Sequence, residues 1–198
     1  KESDFTYHEA EVPQIKDGQF LVRNLYLAFE PAMRGWIEDR KSYTPPVQIG
    51  EVMRALSVGQ IVESRNRNFQ PGECVQGGFG WQEYAAASER GGLVPATKIP
   101  ANASLTWPLG VLGLTGLTAY FGILDVGHPK EGETCVVSGA AGATGSIAGQ
   151  IAKIKGCRVI GIAGGPEKCR WLTEEANYDA AVDYKSENVE TRLGELCP

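Results

Sequence analysis

Histidine is almost absent from this chain, and that narrows its chemistry at once. Only His8 and His128 occur in 198 residues, and neither lies near a cysteine. Catalytic zinc needs Cys, His or acidic ligands converging on one point. No metal is therefore expected: His8 falls in a polar, exposed stretch and His128 in a turn before Pro129. The five cysteines (Cys74, Cys135, Cys157, Cys169, Cys197) are odd in number, widely spread and form no C-x-x-C pair. Cys135 and Cys157 lie in or beside apolar strands, so buried free thiols in a reducing compartment are the expectation. There is no excess of basic residues either. A net charge of −5 argues against a nucleic-acid partner, and the one basic cluster, Arg65-Asn66-Arg67-Asn68, has no aromatic neighbours and reads as a solvated loop. No apolar run approaches the ~20 residues of a membrane span, so no membrane partner is expected. The start, KESDF, is charged and lacks an apolar core, which predicts no signal peptide and a cytoplasmic location.

What the chain does have is a strand, a glycine-rich turn, a helix and a second strand in succession. Residues 134–138 are short, apolar and β-branched, as a buried parallel strand should be. Residues 139–145 pack small side chains into a turn. Ile147, Ile151 and Ile154 then recur at helical spacing over residues 146–155, and Gly156 is a good helix stop. Residues 158–163 are the second strand. This is the βαβ unit of a dinucleotide-binding fold. Its turn carries Ala140-x-Gly142-x-x-Gly145, a variant of G-x-G-x-x-G. Ala140 keeps the turn tight, Gly142 lets backbone approach a pyrophosphate, and Gly145 lets helix pack on strand. The helix N-terminus offers free N–H groups and the positive end of its dipole to the phosphates.

The flanking stretches fill in two domains. Residues 1–19 are polar with turn signals at Pro13 and Asp17-Gly18. Residues 20–29 alternate well enough for a half-buried strand. Glu30 to Trp36 reads as a turn leading into one helical turn, and Ser42 to Pro46 as extended loop, since each proline disfavours αR in its predecessor. From Gly50 the pattern reads strand, break at Gly59, strand. Residues 69–80 read as glycine-rich turn, and residues 81–87 as a short strand. Short strands at this spacing predict a barrel-like or folded-over sheet. Residues 109–126 are apolar nearly all round, which predicts a buried helix. After the βαβ core come a helix over residues 166–176 with Pro166 in its first turn, a third strand over residues 180–183 and a helix over residues 187–196.

The end of the second strand discriminates between cofactors. An acid there would bind the ribose hydroxyls, but the strand ends Ala163-Gly164-Gly165. Glu167 falls in the first helical turn, where an acid favours the dipole. Lys168 and Arg170 follow, and a 2′-phosphate needs positive charge and donors. The residues thus favour NADP(H) over NAD.

Seven stretches occur in an order that resembles a known family. They are Arg23-Asn24-Leu25-Tyr26-Leu27, Glu30-Pro31 with Met33-Arg34-Gly35, Ser42-Tyr43 with Pro45-Pro46, Gly50-Glu51-Val52-Met53, Gly80-Trp81-Gln82-Glu83-Tyr84, residues 114–122 (LTGLTAYFG) and the AAGATGS turn. Together they are similar to the zinc-independent medium-chain dehydrogenase/reductases, in the branch of prostaglandin/leukotriene, 2-alkenal and curcumin reductases. The resemblance implies an α/β fold: a GroES-like β domain over residues 1–104, then the first half of a Rossmann doubly wound parallel sheet over residues 105–198, with the active site in the cleft. It implies NADPH as hydride donor and an α,β-unsaturated aldehyde or ketone as acceptor, reduced at its β-carbon. It implies that Ala141, Gly142, Ala143, Thr144 and Gly145 meet the pyrophosphate, that Gly164, Lys168 and Tyr184 surround the 2′-phosphate, and that Leu114 and Thr118 hold the nicotinamide carboxamide. Met33, Arg34 and Tyr43 are substrate-pocket candidates, with loop packing the competing role for Tyr43. The family's usual aromatic between Pro31 and Met33 is Ala32 here, which puts substrate preference in question. The resemblance further implies that a full-length parent, a homodimer, carries an earlier strand, later strands and a second pocket tyrosine outside this chain. A quinone oxidoreductase of the same superfamily and a non-catalytic nucleotide-binding fragment are the alternatives.

Overall fold

Two stretches of the chain build their own cores. In the computed structural model, which describes residues 4–92 and 94–197, the chain divides into the compact units Lys1–Leu109 and Gly110–Pro198. The first is an antiparallel sheet and the second a parallel one, so the α/β expectation holds.

The first unit begins with β1 (Gln19–Leu27), whose Phe20, Leu21 and Val22 are all buried. It lies between β4 (Tyr84–Ser88) and β2 (Ser57–Ser64), and the sheet continues through β3 (Cys74–Gly77) to β5 (Thr97–Lys98) in the order β4-β1-β2-β3-β5. Phe20, Val22, Ile61, Phe69, Val75 and Phe79 form the core, with the rings of Phe20 and Phe69 stacked at 4.5 Å. The one helical turn after Pro31 is α1 (Ala32–Trp36), and its Met33 and Trp36 pack with Met53 and Ala55 in a second, smaller cluster.

Two expectations fail in this unit. Gly59 does not break a strand: it sits inside β2, and residues 50–56 form none. A Cβ on Gly59 would lie 2.4 Å from Val22 Cγ1 and 2.5 Å from Arg23 O. The glycine marks a close approach of β2 to β1, beside the register shift at Asn24/Tyr26, which is the other meaning of glycine in a strand. Residues 69–80 are not all turn either, because β3 runs through them. Val75 is completely buried, and its alternation with Cys74 and Gln76 is too short to show as periodicity.

In the second unit, β6 (Thr134–Ser138), β7 (Arg158–Ala163) and β8 (Ala180–Asp183) pair in parallel in that order. They are joined by α3 (Ala143–Ile154) and α4 (Pro166–Glu174), with α5 (Val189–Leu196) after β8. Gly156 follows α3 at φ +81, a conformation glycine adopts without strain. Pro166 opens α4 at its first position, and Asn188 caps α5 by accepting from Thr191 N at 2.9 Å, as capping chemistry requires.

The apolar stretch before β6 is corrected most. Its helix, α2, spans only Leu114–Phe121 and continues as a π-helical segment over Gly122–Gly127. It is not buried all round: Gly116 and Ala119 are covered, whereas Leu114, Leu117, Tyr120 and Phe121 are each about half exposed. Within its own unit α2 packs chiefly on α3, and one neighbouring helix covers one stripe.

The core of this unit closes around Tyr178, which is buried and packs with Val159, Leu172 and Ala140. Its hydroxyl donates to Gly145 O at 2.7 Å, and burial pushes the phenol up to about 12. Tyr178→Phe removes that hydrogen bond and should cost about 0.5–1.5 kcal/mol in a denaturant titration. The pH dependence has a definite sign. A phenol that ionises later folded than unfolded contributes its full stability below the unfolded value near 10, and loses it as pH rises toward 12. The wild-type chain should therefore lose more stability than Tyr178→Phe between pH 10 and 12; parallel curves would refute the assignment.

Candidate functional site

In the turn between β6 and α3, backbone packs closely on backbone. Gly139 takes φ +58, and its carbonyl accepts from Gly142 N at 2.8 Å. Ala140 is completely buried and donates to Ile162 O of β7 at 3.0 Å. A Cβ on Gly145 would stand 2.4 Å from Gly139 O and 3.0 Å from Ala140 Cα, and one on Gly142 would stand 3.0 Å from Gly139 O. The small residues are thus fixed by contact rather than by composition. α3 starts at Ala143, three residues earlier than its isoleucines suggest, with no side-chain cap on its N-terminus. The first N–H groups of a helix have no partner within it, so Ala143, Thr144 and Gly145 present donors and the positive dipole end beside Ala141 and Gly142. A negative group of phosphate size is what such a cradle can hold.

A second corner lies where β7 and β8 end. β7 itself ends without an acid. Gly164 follows β7, and a Cβ there would fall 2.7 Å from the hydroxyl of Tyr184, so that ring lies against Gly164. Tyr184 N donates to Ala163 O at 3.1 Å, which brings the residue after β8 alongside the end of β7. Lys168 is exposed in the first turn of α4, next to Glu167. A cation at a helix N-terminus adds to the positive end of the dipole instead of offsetting it, and Glu167 offsets part of that charge. Asp183, unmarked by any motif, accepts from Gly165 N at 2.8 Å and from Lys185 N at 3.0 Å. These backbone hydrogen bonds hold its carboxyl below the usual carboxylate range.

Leu114 and Thr118 stand one turn apart on α2 and both are exposed. The Thr118 hydroxyl donates to Leu114 O at 2.7 Å, leaving its oxygen lone pairs open.

In the first unit, Met33 and Arg34 line one cavity of about 360 Å³ together with Phe5, Phe29, Glu30 and Trp81. The Phe5 and Phe29 rings lie 5.0 and 5.4 Å from that of Trp81. Arg34 also pairs with Glu38 at 3.2 Å. Partial burial raises the Glu30 carboxyl. The indole N–H of Trp81 is buried with no hydrogen-bond partner among the described residues. Tyr43 is not part of this wall. It is 76% exposed and accepts from Trp36 Nε1 at 2.7 Å, so it packs its loop onto α1. Phe5 carried no periodic signal, Phe29 only closed an alternating strand stretch, and Trp81 stood out only as part of a motif. Among the described residues no three His, Cys, Asp or Glu side chains could hold a metal ion, all five cysteines are free, and no helix is long and apolar enough to cross a membrane.

A family model described as the N-terminal domain of oxidoreductase matches residues 1–94. The chain is 46% identical over 195 residues to the NADPH-dependent curcumin reductase of Escherichia coli (strain K12), covering 98% of this chain and 56% of that one. It is 40% identical over 197 residues to prostaglandin reductase 1 of Bos taurus, covering 99% and 57%. The crystal structure of CurA in complex with NADPH from Vibrio vulnificus superposes with a TM-score of 0.88 at 43% identity, covering 99% of this chain and 57% of that one. The chain thus spans a little over half the length of the curated relatives it matches. With a glycine-cradled βαβ turn, a β7 that ends without an acid, and 46% identity to the curcumin reductase over 98% of its own length, the chain belongs to the medium-chain dehydrogenase/reductases, in the branch of the curcumin and prostaglandin reductases.

Proposed function

We propose that this chain is the cofactor-holding part of an NADPH-dependent reductase of the carbon–carbon double bond in α,β-unsaturated aldehydes and ketones. The observation that carries the reading is the corner formed by Gly164 and Tyr184, where β7 ends in glycines instead of an acid and Lys168 follows in the first turn of α4. Its similarity to reductases named for NADPH, and to a structure containing NADPH, supports the same cofactor.

The residues fit that group. Gly142 and Gly145 leave the backbone bare at the start of α3, and Ala141, Ala143 and Thr144 surround its free N–H groups, which would meet the pyrophosphate. Gly164, Lys168 and Tyr184 would hold the 2′-phosphate. Leu114 and Thr118 would hold the carboxamide, Thr118 through its remaining lone pairs. When bound, NADPH supplies the hydride for the β-carbon, while charge gathers on the carbonyl oxygen of the acceptor. Orientation is what these residues contribute, and it is worth several kcal/mol of a barrier. The cavity bounded by Met33, Arg34, Phe29 and Trp81 is apolar and aromatic, suited to the hydrocarbon part of an enone. Ala32, packed beside Met33, stands where the family usually has a ring.

Lys168→Ala should weaken NADPH binding by about 1.5–3 kcal/mol, the value of a hydrogen bond to a charged group, and leave NADH binding nearly unchanged. Dissociation constants for both nucleotides on both proteins decide it, and equal wild-type affinities would refute NADPH as the cofactor. Steady-state NADPH oxidation with a simple enone and with a simple quinone separates the acceptor classes; faster turnover of the quinone would favour the quinone reductase reading. Phe29→Ala should raise KM about tenfold for an enone with a bulky aromatic tail, the scale of losing ~1.4 kcal/mol of apolar contact, with little change for a small one. A uniform change would remove the cavity from the substrate site.

A further inference from the structure

We infer that Asp183 is a positioning residue that clasps the turn after β7 to the loop after β8, and so places Tyr184 on Gly164 where a 2′-phosphate is selected. The inference rests on the NADPH reading above.

The strand pairing runs out at Ala163 and Asp183. Past that point the backbones have no ladder to hold them. Gly165 takes φ +100 and ψ 151, a conformation close to glycine-only. Its N–H is met by Asp183 Oδ1 at 2.8 Å, and the same oxygen receives Lys185 N at 3.0 Å. One carboxylate oxygen therefore bridges the two loops. Tyr184 lies between these two attachments and adds its own N–H to Ala163 O at 3.1 Å.

The clasp is itself braced. Asp183 N donates to Glu187 Oε2 at 2.8 Å, and Glu187 Oε1 accepts from Arg192 Nε of α5 at 2.8 Å. Asp183 O accepts from Ser186 N at 3.1 Å and from Glu187 N at 2.8 Å. The loop carrying Tyr184 is consequently fixed at Asp183, at Lys185 and through Glu187 to α5. The phenol ends where a side chain on residue 164 would begin, with 2.7 Å between its hydroxyl and the site of that Cβ.

A carboxylate beside a site for a phosphate dianion is electrostatically adverse, so its presence needs a compensating role. The hydrogen bonds provide one: the charge is directed at two backbone N–H groups, an arrangement stronger than a neutral acceptor gives. Position, not charge, is what Asp183 would supply to the ligand. An asparagine keeps an acceptor oxygen for both N–H groups and removes the repulsion; an alanine removes the clasp.

The probes are adenosine 2′,5′-bisphosphate and 5′-AMP, which differ only in the 2′-phosphate, with dissociation constants measured on the whole chain. The wild-type protein should prefer the bisphosphate. Asp183→Ala should weaken the bisphosphate about tenfold, the scale of one lost charge-assisted hydrogen bond, and shift 5′-AMP less than threefold. Asp183→Asn should keep the wild-type preference or exceed it. A wild-type chain without preference would overturn the NADPH reading and this inference with it. A wild-type preference that Asp183→Ala retains, or an equal loss for both probes, would overturn this inference alone. Should Asp183→Ala fail to fold, Asp183→Asn decides: a lost preference means the charge matters and the clasp does not.

Discussion

One phenol sets the distance between α3 and the sheet. A Cβ on Gly149 would stand 2.0 Å from the hydroxyl of Tyr178, and one on Gly161 would stand 2.9 Å from its Cδ1. The ring occupies a slot that two glycines, one on the helix and one on β7, leave open. Its hydrogen bond ends on Gly145 O, in the first turn of α3, the turn whose free N–H groups face the phosphate cradle. The neighbouring Asp179 works on the other end of the same helix. Its carboxylate accepts from Val159 N at 2.6 Å and from Lys153 Nζ at 2.8 Å, tying β7 and α3 to the start of β8. Partial burial pushes Asp179 up, but its hydrogen bonds with Lys153 and Val159 outweigh that and hold it below the usual carboxylate range. Two consecutive residues, one kept protonated and one kept ionised, thus hold the helix on the sheet.

The parallel unit was legible because its signals are local and redundant. β6, β7 and β8 each have a short apolar run between turn residues, and Gly156 and Pro166 mark helix ends by chemistry that does not depend on the rest of the fold. The antiparallel unit was less legible. Gly59 carries the same letter as a turn glycine, yet its role comes from Val22 and Arg23, more than thirty residues away in the chain. β3 is only four residues long, below the length at which alternation stands out from chance. α2 misled for the converse reason: apolar composition measures the tendency to be buried, not the supply of surfaces to be buried against.

The site divides the same way. Gly142, Gly145 and Gly164 could be read because a motif or a missing acid pointed to them, and the contacts that a Cβ would make explain why they are glycines. Met33 and Arg34 share a cavity, whereas the hydroxyl of Tyr43 serves Trp36, in line with the loop-packing role left open for it beside the pocket role. Phe5 could not be found beforehand, since an aromatic in a polar stretch has no periodicity to place it. Asp183 looks like an ordinary strand-ending acid until the φ of Gly165 is known.

The half-exposed row on α2 has a thermodynamic corollary. Leu114, Leu117, Tyr120 and Phe121 keep much of their hydration shell in the folded chain. Unfolding can then add less new apolar surface to water than the chain's composition would suggest. Both the heat-capacity increment of unfolding and the denaturant m-value scale with that added surface. This chain should accordingly have a shallower stability curve, and a broader denaturant transition, than a domain of equal length whose leucines are fully enclosed.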